Sequence, residues 1–97
     1  MDKTGMVKLL REDPAFADAY LASALENVDR DGGFDALLAA LRHVAEAEGM
    51  YYVSQRVGIS REGLHRALSP GGNPTVQILL AVLHAAGLKL GIRRVSA

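Results

Sequence analysis

The chain reads as an all-α domain of five helices, with a helix-turn-helix near its middle and a short C-terminal β-strand. Three observations carry that reading. Apolar residues recur at i, i+3, i+4 spacing through most of the 97 residues. Two helix starts are written as a capping side chain followed by proline, at Asp13-Pro14 and Asn73-Pro74. Two short helical segments flank the three-residue turn Gly58-Ile59-Ser60.

The elements follow in order. After Asp13-Pro14, Phe16, Tyr20, Ala24 and Val28 share one stripe, with Leu21 and Leu25 beside them. The glycines and acids of VDRDGG end that helix. A second helix places Phe34, Leu37, Leu38, Leu41, Val44 and Ala45 on one face and stops at Gly49. Tyr51–Val57 and Arg61–Leu68 form the helical pair, and Ser69-Pro70-Gly71-Gly72 turns the chain. The run from Val76 to Ala86 is apolar nearly all round. It is expected to be the central buried helix, with His84 as a core histidine and Gly87 at its end. Leu88, Leu90 and Ile92 alternate with Lys89, Gly91 and Arg93, the pattern of a half-buried strand. Such a strand has no ladder partner in a helical chain, so these three residues are expected to pair with their twins in a homodimer.

Size and composition limit the functions available. One small domain fits in 97 residues, and no cysteine is present to staple it, which favours a partner subunit. Disulfides, thiolate zinc sites and cysteine nucleophiles are excluded together. His43, His65 and His84 lie on separate segments without ligand spacing. No phosphate loop or nucleophile elbow occurs. No metal, no cofactor and no enzymatic activity are therefore expected. The longest apolar stretch falls short of the ~20 residues of a membrane span, and a cytoplasmic protein without membrane contact is expected.

The net charge of zero divides unevenly. Residues 1–48 hold ten acids and five bases, a balance of −5, whereas residues 49–97 hold one acid, Glu62, and six bases, a balance of +5. The division marks either two binding surfaces, one suited to nucleic acid and one to a basic partner, or scatter over a solvated surface. Residues 1–12 read as a separate N-terminal segment, flexible or partner-binding, ahead of a helix-turn-helix domain over 13–97. Met6, Leu9 and Leu10 form a short apolar cluster in it.

The stretch MYYVSQRVGISREGLHRALS, residues 50–69, carries the most chemistry. Gly58 suits the positive φ of a tight turn, and the small Ser54 lets the second helix come close. Val53, Val57, Ile59, Leu64 and Leu68 are expected on the shared buried side, with Ser60 as the N-cap of the second helix. Glu62, His65, Arg66 and Ser69 then face outward and Arg61 sits at the exposed first turn, as in a recognition helix. Gly63 within that helix costs about 1 kcal/mol relative to alanine.

Here the chain resembles the addiction-module antidote proteins, HigA-like antitoxins of the Xre, lambda-repressor-like class. The resemblance spans about Asp13 to Ile92. It rests on YLASALE, FDALLAALRHVAEAEGM, GISREGLHRALS and, most specifically, SPGGNPTVQILLAVLHAAGLKL. Tyr51 stands where the family usually has serine, and Ser54 where it has alanine. The resemblance implies an operator-binding antitoxin partnered by a RelE/ParE-like toxin.

The candidate DNA contacts are Tyr51, Arg56, Ser60, Arg61, Glu62, His65, Arg66, Asn73 and Thr75, on a double-stranded, near-palindromic operator. Arg66 contacts a base or a phosphate, or pairs with Glu62 at i, i+4. Glu62 accepts from cytosine N4 if it meets a base at all. Arg56 and Arg61 are phosphate clamps or solvated arginines, and His65 reaches DNA or is a plain exposed residue. Asn73 and Thr75 bind phosphate at a helix N-terminus or simply cap it. Gly71 and Gly72 allow close approach or only make the turn. Either Tyr51 or Tyr52 donates to the DNA backbone while the other packs. Two other readings stay open: a helical interaction module without DNA binding, and a solitary Xre-type regulator. Toxin binding is expected through the N-terminal segment and the Asp13–Val28 helix.

Overall fold

A capping carboxylate opens the first helix that the sequence marks: Asp13 accepts from the Phe16 amide at 3.1 Å, and Pro14 follows at the first helical position. The computed structural model describes residues 3–96; Met1 and Asp2 of the N-terminal segment, and Ala97 of the segment that follows it, lie outside the described residues. Regular structure in the described residues is six helices and no strand: α1 (Lys3–Glu12), α2 (Pro14–Glu26), α3 (Gly33–Glu48), α4 (Met50–Val57), α5 (Arg61–Ala67) and α6 (Val76–Ala85).

The hub is α3. It packs against α1, α2, α4 and α6, and buries Leu38, Leu41, Val44 and Ala45 completely. Gly33 lets α3 start tight against the end of α2, because a Cβ there would lie 2.3 Å from the Asn27 carbonyl oxygen. The buried core holds leucine, valine, isoleucine, alanine and one methionine, Met50, and no aromatic ring. Tyr20 and His43 meet at its edge, joined by a 2.9 Å hydrogen bond, with Phe16 stacked on Tyr20. Burial, then the Arg42 cation, lowers the pKa of His43; Glu46 raises it and Lys3 lowers it further. Burial raises the pKa of Tyr20 against the pull of Arg42, so both groups favour their neutral forms.

Several expectations are corrected. The five-helix count becomes six because residues 3–12 coil into α1, which has Leu10 in the core. The C-terminal strand is not formed: residues 88–96 run without regular structure, since one chain offers their backbone groups no ladder. α6 is not the central buried helix. It packs on α3 and α4 by one side, leaving Val76 68% exposed and His84 in solvent rather than in the core. Its N-cap is Thr75, accepting from the Ile78 amide at 3.2 Å, so Pro74 precedes the helix instead of opening it. Phe34, at the first turn of α3, is 47% exposed, beyond the reach of the neighbours that cover Leu37 and Leu38.

Candidate nucleic-acid interface

The helix-turn-helix is assembled by local chemistry. Gly58 ends α4 with φ at 79°, and its amide donates to the carbonyls of Ser54 at 2.9 Å and Gln55 at 3.2 Å. Ser60 then caps α5 by accepting from the Gly63 amide at 2.9 Å. Val53, Leu64 and Leu68 are fully buried between the two helices and the core, and Ser54 is buried with its hydroxyl donating to the Tyr51 carbonyl. Ile59 is the exception to the expected shared side. It sits in the turn outside both helices and is exposed.

The far side of α5 presents Arg61, Glu62, His65 and Arg66 to solvent, as the helical spacing requires. Glu62 and Arg66 form no ion pair. The ion pairs among the described residues join Lys3 to Glu46 and Arg93 to Glu26, so the guanidiniums of Arg56, Arg61 and Arg66 have no carboxylate partner. On α4, Tyr51 and Tyr52 are both exposed and both engaged by the next turn. Gln55 donates to the Tyr51 hydroxyl at 2.9 Å. Arg56 donates to the Tyr52 hydroxyl at 3.3 Å and lies 5.7 Å from its ring centroid. That contact holds the Arg56 cation against the helix surface.

The turn after α5 is built by Gly71 and Gly72. Gly71 has φ at 79°, and a Cβ on Gly72 would lie 2.2 Å from the Ala67 carbonyl oxygen. Gly72 is therefore needed by the protein's own packing. Asn73 and Thr75 follow, both exposed at the entry to α6. Thr75 uses its oxygen as a cap, which leaves the hydroxyl proton to donate. At the other end of the chain, Leu88 is half-buried against the core while Leu90 and Ile92 are exposed, and Arg93 pairs with Glu26 of α2.

Two features escaped the residue pattern. Arg42 of α3 donates to the carbonyl of Leu68, the C-cap of α5, and so pins that helix end from across the core. Lys3, Val7 and Arg11 of α1 face Arg61, His65 and Arg66 across an open cleft of about 820 Å³. Neither contact leaves a local signal, because each joins residues 26 or more apart. Among the described residues no His, Cys, Asp and Glu group is placed to hold a metal ion, and no helix is long and apolar enough to cross a membrane.

A family model described as probable addiction module antidote protein matches residues 1–94. An uncharacterised protein of Haemophilus influenzae is 34% identical over 70 residues, which cover 72% of this chain and 72% of that protein. No solved structure matches the chain.

Proposed function

The chain belongs to the family of probable addiction module antidote proteins, and from that membership we propose that it is the DNA-binding antitoxin of a type II module, of the HigA-like, Xre class. In this reading it neutralises a RelE/ParE-like toxin and represses its own operon. One observation carries the DNA-binding part: a capped α5, its inner face buried at Leu64, presents Arg61, His65 and Arg66 outward with no carboxylate partner among the described residues. Such guanidiniums suit guanine edges and phosphate oxygens.

Arg66 reads a base, Arg61 and Arg56 clamp phosphates, and His65 and Glu62 discriminate at the groove floor. Ser60, Asn73, Thr75 and Tyr51 supply neutral donors to the backbone, which positions the duplex without reading it. A homodimer formed through Leu88, Leu90 and Ile92 presents two α5 helices about 34 Å apart and makes the operator a near-palindrome. The exposure of Leu90 and Ile92 supports this pairing. The toxin, a basic protein, docks on the acidic half. Asp18 and Glu26 of α2, with Asp29 and Asp31 after it, are all exposed there.

Fluorescence anisotropy with the duplex upstream of the gene tests the reading. Wild-type protein is expected to prefer it over a scrambled duplex, and Arg66→Ala to lose about 1–3 kcal/mol together with discrimination. Equal affinity for both duplexes sinks specific repression and favours an interaction module. Light scattering after truncation at Gly87 tests the dimer, which should dissociate.

A further inference from the structure

We infer that the DNA-contacting surface extends beyond α4 and α5 onto α1, with the α1–α5 cleft seating a stretch of the duplex's sugar-phosphate backbone. The inference rests on the proposed DNA-binding function and deepens it. Its ground is the placing of like charge on both walls. Arg61, His65 and Arg66 line one side, and Lys3 and Arg11 line the other. Four permanent cations thus share the cleft with two carboxylates, Glu46 and Glu62. Like charges facing each other across open space repel, and an anion between them converts that repulsion into attraction.

The charge distribution favours a polymer over a small anion. The cationic lining does not stop at the cleft. It continues along α1 into an adjoining depression, where Lys3, Lys8 and Arg11 outnumber the carboxylates Glu12 and Glu46. Lys3 and Arg11 are eight residues apart, about 12 Å along a helix, which matches several phosphates of one strand. Neither cation is buried in a pair that would remove it from this role. The Lys3 ammonium lies 3.0 Å from Glu46 with its side chain largely exposed. Arg11 spends Nε and one Nη on the Ala47 and Glu46 carbonyls, which braces the guanidinium at the end of α3. The braced group keeps its full charge and pays less ordering entropy when a phosphate arrives.

The uneven charge along the sequence is thereby reinterpreted. Two of the five bases in the acidic half, Lys3 and Arg11, face the arginines of the basic half across the cleft, and a third, Lys8, lies in the depression that adjoins it. A helix that shielded α5 from DNA by mimicking it would instead turn carboxylates towards Arg61 and Arg66.

The test is the salt dependence of binding to the upstream duplex. Lys3→Gln and Lys8→Gln are each expected to weaken binding roughly threefold to tenfold and to flatten the slope of log affinity against log salt by about one. Preference over a scrambled duplex should survive, unlike in Arg66→Ala. Lys3→Gln combined with Glu46→Gln keeps the net charge of the pair. The flattened slope should persist in it if Lys3 meets a phosphate, and return to the wild-type value if Lys3 only neutralises Glu46. Arg11→Gln should behave like Lys3→Gln, with a thermal melt confirming the fold; if it unfolds, the two lysine variants decide. An unchanged slope in both lysine variants, or tighter binding, overturns the α1 surface while leaving the α5 reading intact. A wild-type protein without preference for the upstream duplex removes both.

Discussion

Helices α1 and α5 form the two walls of one cleft and are held there by different means. α5 has seven residues and α1 has ten, both below the roughly 12–15 at which an isolated helix is even marginal in water. α5 is fixed at its start by a neighbour in sequence and at its end by near neighbours together with Arg42 of α3. Ser60 caps its start, the Leu68 and Ser69 amides donate to its last carbonyls, and the Gly72 amide closes the following turn on the Ser69 carbonyl. α1, in its described residues, relies on partners distant in sequence. It is tied down from a distance, by Leu10 in the core, by Arg11 on the end of α3 and by the Lys3–Glu46 pair. A short helix therefore needs either local capping or remote docking. The first leaves a signature in sequence and the second does not.

The largest effect expected to expose this difference comes from Leu64→Ala. It empties a fully buried site between α5 and the core and should cost about 2–5 kcal/mol in urea unfolding. Leu10→Ala removes the same atoms from a site almost as buried. It should cost less, because Leu10 keeps 4% of its surface exposed where Leu64 keeps none, and a partly open site collapses more fully around the lost atoms. Equal losses in the two variants would break the comparison.

Gly72→Ala comes next. The added methyl meets the Ala67 carbonyl at 2.2 Å, a backbone contact that cannot be relieved by rotating a side chain. A destabilisation of about 1–3 kcal/mol is expected, as for other overpacked sites. Near-neutral behaviour would show that the turn does not hold the end of α5. Ser60→Ala should cost about 1 kcal/mol and reveal how much of α5 depends on its cap. Gly63→Ala sharpens the same point with a smaller effect. Alanine is worth about 1 kcal/mol more than glycine in a helix. Its Cβ, however, would lie 3.1 Å from the Ser60 oxygen and strain the cap, so the net gain should stay below that figure.

His43 of α3 carries the smallest expected effect. The folded-state pKa of His43 is held below its ordinary value of about 6.5, chiefly by burial and then by Arg42. Below that ordinary value the unfolded chain takes up protons that the folded chain resists. His43 therefore contributes stability that is complete above about pH 6.5 and is lost as the pH falls towards the folded-state pKa. Unfolding midpoints measured between pH 7.5 and 5.5 should decline, and His43→Gln should flatten the decline. An unaltered pH profile in the variant would assign the loss to other groups.

These contrasts explain how much of the molecule could be read from sequence. Five helices were legible because their ends are chemical events between near neighbours: Asp13 with Phe16, Ser60 with Gly63, and glycines at positions 49, 58 and 87 in positive-φ turns. The outward set Arg61, Glu62, His65 and Arg66 was legible for the same reason, since helical geometry decides which residues oppose Leu64 and Leu68. The sixth helix was not, and neither was the exposure of His84. An apolar run such as Val76–Ala85 states that burial is favourable but not how many sides the rest of the chain can cover.

By itself, then, the sequence determined the local grammar: the caps at Asp13 and Ser60, the Gly58 turn, and which face of α5 meets solvent. Only the tertiary structure decided that α3 is the hub, that α1 stands opposite α5, and that Lys3 and Arg11 join the charges of the basic half. The physical reason is range. Capping and helical periodicity act over three or four residues, whereas packing and charge act through space between segments that the chain keeps far apart.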